Sequence, residues 1–138
     1  MSKVEEPSQP TPYVTVTNGI EISVWPELDS QNTNIENSIY TYAYTIKIKN
    51  TNPYAVQLIS RQWIITDGFS NIEHVKGEGV VGKQPLLQFG ESFLYQSFCP
   101  LKTPTGRMKG LYSMKTPEGK SFEAEIGEFL LSNKNLIN

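Results

Sequence analysis

Gly77, Gly79 and Gly82 stand at the spacing GxGxxG inside GEGVVGKQP, residues 77–85, with Lys76 before the first glycine and Lys83 after the last. Such spacing can serve phosphate chemistry in two ways. In a dinucleotide fingerprint the glycines open a helix whose N-terminus cradles a pyrophosphate. In a phosphate loop the pattern GxxxxGK is followed by a hydroxyl that holds Mg²⁺. Neither device is complete here. Pro85 falls within four residues of Gly82, no helical period follows, and Gln84 stands where Ser or Thr would be needed. The bland alternative is a loop whose glycines permit positive φ or close approach of two strands. The spacing favours that loop.

Other chemistry is equally thin. His74 is the single histidine and Cys99 the single cysteine, so a transition-metal site would require that one pair to meet. Glu5-Glu6 and the alternating Glu123 and Glu125 read as solvated surface rather than as a hard-cation cluster. One histidine without a nucleophile elbow supports no Ser-His-Asp or Cys-His assembly. The expectation is a protein without catalytic residues, cofactor or metal. The second reading is an anion- or pyrophosphate-binding protein, with the N–H groups of the glycine loop and nearby lysines holding the ligand.

The elements that must position these residues are strands. Tyr40, Tyr42, Tyr44, Ile46 and Ile48 alternate with Thr41, Ala43, Thr45, Lys47 and Lys49, a period that a helix would scatter around its circumference. Ile20, Ile22 and Val24 form an earlier strand, which Pro26 stops or marks as an edge. Trp25 falls on its opposite side and is expected as an exposed aromatic suited to a partner. The residues from Val56 to Thr66 are apolar on both faces, like a central strand. Leu86-Leu87, Phe93–Phe98, Met108–Met114 and Phe122–Ile126 supply the rest. Seven to eight antiparallel strands with regular turn signals predict an all-β, immunoglobulin or fibronectin type III-like sandwich. Leu87–Phe93 is similar to the L-x-P-G-x-x-Y corner of fibronectin domains, with Phe93 in place of the tyrosine.

Composition bounds the rest. The chain of 138 residues has 12 basic and 14 acidic residues and a net charge of −2, without a block of like charge. Nucleic acid is therefore not expected as a partner. No apolar run approaches the roughly 18 residues of a membrane span, and a cytosolic protein is expected. Residues 1–12, with three prolines, read as a flexible leader, residues 13–131 as one folded domain, and residues 132–138 as a flexible tail. A weak homodimer is expected through the strand around Ile20–Trp25. If Leu86-Leu87 and Phe93–Phe98 form a hairpin around Gly90, the loops at 77–84 and 100–107 lie side by side. They would gather Lys76, Lys83, Lys102 and Arg107 with Gly77, Gly79 and Gly82 into one docking surface.

The phrases YAYTIKIKN, VQLISRQWIITDG, GEGVVGKQPLLQFGESFLY and CPLKTPTGRMKGLYSM, taken together, resemble the ApaG family over Asn18 to Leu131. The resemblance implies a fibronectin III or immunoglobulin-like sandwich. It implies a bacterial link to cobalt tolerance and magnesium efflux without an established catalytic activity. Similar domains in eukaryotic F-box and polymerase-interacting proteins imply protein binding. The family has no agreed catalytic residues to carry over.

Overall fold

The computed structural model describes residues 4–133; the first three residues of the expected leader and residues 134–138 of the expected tail lie outside it. Strands run in the order β1 (Tyr13–Thr17), β2 (Ile20–Leu28), β3 (Tyr40–Asn50), β4 (Val56–Asp67), β5 (Ile72–Glu78), β6 (Leu86–Leu87), β7 (Ser92–Leu101), β8 (Gly106–Lys115) and β9 (Ser121–Leu131). Helix among the described residues is confined to two three-residue 3-10 turns, Ser30–Asn32 and Ile35–Asn37. Two antiparallel sheets result, β1-β2-β3-β7 and β5-β4-β8-β9, with the two-residue β6 pairing the start of β4. The expected β-sandwich is present, with nine strands where seven to eight were expected.

Alternation builds the core. Tyr42, Tyr44, Ile46 and Ile48 of β3 face inward, as do Ile20, Ile22 and Val24 of β2 and Tyr95, Cys99 and Leu101 of β7. The opposite sheet answers with Leu58, Trp63, Met108, Tyr112, Met114, Ile126 and Phe129. Phe129 stands at the centre, 5.9 Å from Trp63 at 86° and 6.1 Å from Tyr44, so aromatic edges lock the layers together.

Two expectations about β2 are corrected, the free edge at Ile20–Trp25 and the exposed Trp25, whereas Pro26 does mark a stretch without a β1 neighbour. β2 lies between β1 and β3, so Ile20–Trp25 is not an edge and offers no free ladder for self-pairing. β2 also runs through Pro26 to Leu28. Its pairing with β1 ends at Val24, so beyond that residue a missing N–H disturbs no ladder on the β1 side. Trp25 is only 6% exposed and not an open aromatic. Its outer face is covered from outside the strand. Pro7, Gln9 and Pro10 line a hollow with Trp25 and Thr45, and Glu6 pairs with Lys47 at 3.3 Å. The polar stretch before β3 acts similarly, because Thr41 donates from its hydroxyl to the Asn32 carbonyl at 2.8 Å.

The crossing between sheets sits at Gly90, with φ of 81°. Asn50 organises it. The Asn50 carbonyl accepts from Gly90 N–H at 2.7 Å, and its side-chain amide donates to the Leu87 and Tyr54 carbonyls. A buried asparagine thus does what a tyrosine hydroxyl does in the fibronectin corner.

The two long sides of the sandwich differ. On one side β1 lies against β9, with Gly127 N–H donating to Thr15 Oγ1 at 2.9 Å. On the other side β5 and β7 end their sheets without pairing to each other.

Candidate functional site

The glycine segment is a tight hairpin with no helix behind it. Val80 and Lys83 exchange both backbone hydrogen bonds, at 2.8 and 2.9 Å, around Val81 (φ 45°) and Gly82 (φ 77°). Positive φ at both central positions is the signature of a type I′ turn. Gly79 N–H is donated to the Ile59 carbonyl at 2.8 Å. The N–H groups of Gly79, Val80 and Lys83 are therefore spent on protein carbonyls, and no helix follows to supply others. A Cβ on Gly79 would come within 2.3 Å of the Lys83 carbonyl oxygen, so that glycine is required by close approach.

Gly77 has a different task. It faces Arg61 across the β4–β5 ladder, and a Cβ there would sit 2.7 Å from Arg61 Nη1. The missing side chain makes room for a guanidinium. Arg61 Nη1 donates to the carbonyls of Glu78 (3.1 Å) and Gly79 (2.9 Å), tying the hairpin to the central strand. After the bulge between Leu58 and Ser60, Arg61 shares the inward side of β4 with Trp63. Its β8 neighbour is Tyr112, and with Tyr44, Tyr95 and Ser97 it lines a hollow of about 250 Å³ between the sheets. Burial pushes the Tyr44, Tyr95 and Tyr112 hydroxyls above their ordinary range, and the Arg61 charge opposes this at each.

The cations expected to gather do not. The hairpin is fastened near Ile59, where the Gln84 side chain also donates at 2.9 Å. The loop after β7 is fastened at the far end of β4, where Gly68 N–H donates to Thr103 Oγ1 at 2.8 Å. Nine residues of extended strand separate these anchors, roughly 30 Å. Lys83 with Gly79 and Gly82 thus stands at one end, and Lys102, which shares a hollow with Asp67 and Asn71, at the other. The hairpin supposed to join them does not exist: β6 pairs β4 while β7 pairs β3, and β7 is ten residues long against two. Arg107 is held by Glu128 at 3.1 Å. Lys76 is on the outer face of β5, in a row with Gln62, Leu111 and Glu125.

That outer face forms an open groove of about 710 Å³, with His74, Lys76 and Lys109 on one flank and Glu123, Glu125 and Glu128 on the other. His74 opens there, whereas Cys99 is buried between the sheets, so the pair does not meet. Burial, helped by the charge of Glu73, pushes the Cys99 thiol up to about 11. Among the described residues no group of three or more His, Cys, Asp or Glu could hold a metal ion. None of their helices is long and apolar enough to cross a membrane.

Residues 30–116 match the model of the ApaG domain. The chain belongs to the ApaG family. Protein ApaG of Dechloromonas aromatica is 49% identical over 119 residues, covering 86% of this chain and 94% of that protein. Protein ApaG of Bordetella pertussis is 43% identical over 132 residues, covering 96% and 95%. A crystal structure of the ApaA protein from Bordetella pertussis superposes with a TM-score of 0.79 at 44% identity, covering 89% of this chain and 97% of that one. The GxGxxG of this ApaG-family chain therefore belongs to an inter-sheet scaffold: one glycine seats Arg61, and two shape a turn.

Arg61 was not singled out in the sequence, because the run from Val56 to Thr66 reads as a strand apolar on both faces. Parity was the available signal. Arg61, Trp63 and Ile65 share one side of a central strand, which places a cation where the core should be.

Proposed function

We propose that this ApaG-family domain is a cytosolic, non-catalytic binding module that holds an extended segment of a protein partner along the free edge of β7. The observation that carries the reading is a contrast between two edges on the same side of the sandwich. β5 presents Glu73, His74, Lys76 and Glu78, the charges that ordinarily guard an edge strand. β7, SFLYQSFCPL, has no charged residue over ten positions, and β3 is its one strand neighbour. Phe98 on its outer face is 52% exposed.

The ladder register defines what is on offer. Asn50 N–H donates to the Glu91 carbonyl at 3.0 Å, which sets the phase of the β3–β7 ladder. Odd-numbered residues of β7 therefore bond to β3, and the N–H and C=O groups of Leu94, Gln96 and Phe98 point away from it. An added strand would take its affinity from those groups and its specificity from side chains beside Phe98. In this reading the family's association with cobalt tolerance and magnesium efflux runs through the partner's chemistry.

The test compares affinity capture by the wild-type chain and by Phe98→Lys. The substitution places a guarding charge on an exposed site. Loss of a specifically captured protein, at an unchanged melting temperature, is expected. Capture that Phe98→Lys leaves intact, without amide protection at Leu94, Gln96 and Phe98 on hydrogen exchange, overturns the reading.

A further inference from the structure

We propose that Arg61 and the hollow it lines form a binding site for a single carboxylate group. The guanidinium has five N–H donors. The two on Nη1 go to the Glu78 and Gly79 carbonyls. The other three have no protein acceptor among the described residues, whose ion pairs are Lys47–Glu6 and Arg107–Glu128. Arg61 is half-buried and its free donors are open to solvent through the hollow, so a carboxylate entering it exchanges water for a charge-assisted pair. The free donors on Nε and Nη2 form the fork that takes both oxygens of a planar carboxylate. The ring and hydroxyl groups of Tyr44, Tyr95 and Ser97 provide a neutral wall around it.

Charge and size choose among anions. Arg61 is the one cation lining this hollow, and the backbone carbonyls of Glu78 and Gly79 already face the guanidinium. A dianionic phosphate would carry one charge too many. The volume of about 250 Å³ also falls below the roughly 300–1,000 Å³ of drug-sized ligand pockets. A hollow of that size suits a small acid or one acidic side chain. Gly77 is part of the site because any Cβ there would push the guanidinium aside.

The carboxylate has two chemical sources, a free small acid or a Glu or Asp side chain of a segment lying on β7. The second source rests on the partner reading above, and the first does not. The test is a titration of the isotope-labelled 138-residue chain, read at the Arg61 Nε–H and at the amides of Gly77, Gly82 and Ser97. Sodium acetate is the first probe, with sodium chloride and sodium phosphate at matched ionic strength as controls. A saturable shift of these signals with acetate is expected. Arg61→Gln should weaken it at least about tenfold, the scale of a charge-assisted hydrogen bond. Should Arg61→Gln fold poorly, Gly77→Ala displaces only the end of a flexible side chain and should weaken acetate binding in a folded protein. An equal response to chloride, or phosphate binding as tightly as acetate, overturns the proposal. A peptide of alternating Val and Thr with one central Glu is compared with its Gln counterpart on wild type and Phe98→Lys. Preference for the Glu peptide, lost in Phe98→Lys, assigns the partner source. Acetate binding without peptide binding assigns the free acid and counts against the β7 edge alone. Failure of both acetate and peptide overturns the site.

Discussion

The hydroxyls of Tyr95 on β7 and Tyr112 on β8 meet at 2.6 Å between the two sheets, both side chains buried. This is a polar bond between two buried side chains, and burying a hydroxyl is tolerable only while it is paired. Tyr95→Phe or Tyr112→Phe leaves the other hydroxyl without this partner and should cost about 1–3 kcal/mol. The double variant Tyr95→Phe with Tyr112→Phe removes both polar groups and should be no less stable than the worse single one. Chemical denaturation of the four proteins measures the cycle. Strictly additive losses would show that the bond contributes nothing of its own.

Alkaline pH should unfold the protein early. The Cys99 thiol rises from 9.0 to about 11 through burial, and the Tyr112 hydroxyl stands well above 10.0 for the same reason. The unfolded chain therefore releases these protons at lower pH than the folded one. The stability they contribute is complete below about pH 9 and is lost as pH climbs through 9 to 11 and beyond. For Cys99 alone the loss is on the order of 3 kcal/mol. Melting temperature against pH should fall from about 9 upward. Cys99→Ala should show a shallower fall between 9 and 11. Iodoacetamide should label native Cys99 far more slowly than unfolded Cys99, because a buried thiol offers little thiolate.

The inward faces were legible in the sequence because each strand carries its own alternation: Tyr40 to Ile48 reads correctly without knowledge of any neighbour. The outward faces were not. Trp25 lies on the outer side of β2, and what covers it comes from residues 7–10 and from β3, which no local period encodes. The error over Lys83 and Lys102 has one cause. A turn signal at Gly90 shows that the chain reverses, but not that it changes sheets as it does so. The glycine spacing reads as a strand-joining loop in the sequence and is a hairpin in the structure. Its task of seating Arg61 became visible only when Gly77 was paired with that residue in register.

The hairpin at Val80–Lys83 contains a correctable strain. Val81 is β-branched and sits at φ 45°, where such residues are costly, in a turn that prefers Asn at this position. Its side chain is exposed, so nothing in the core depends on it. Val81→Asn should stabilise the protein by about 1 kcal/mol. Gly82 has open space around its missing Cβ, and Gly82→Ala should cost only about 1–2 kcal/mol for the left-handed backbone. Gly79→Ala adds a clash with the Lys83 carbonyl and should cost more than either. Equal melting temperatures for Gly79→Ala and Gly82→Ala would contradict this geometry.

The last prediction concerns the cations. A single docking patch requires Lys83 and Lys102 to act on the same ligand, so reversing both should show coupling. Their anchors on β4 lie roughly 30 Å apart, several times the Debye length of about 8 Å at physiological salt. Neither charge can then sense the other's replacement. Lys83→Glu and Lys102→Glu should each lower the salt at which the protein leaves a polyanionic resin. The double variant should lower it by the sum of the two effects within error. Arg107→Glu should show an additional loss, because it also places a carboxylate against Glu128, its present partner at 3.1 Å. A double variant that elutes well away from the sum would mean that the two loops act on one surface after all.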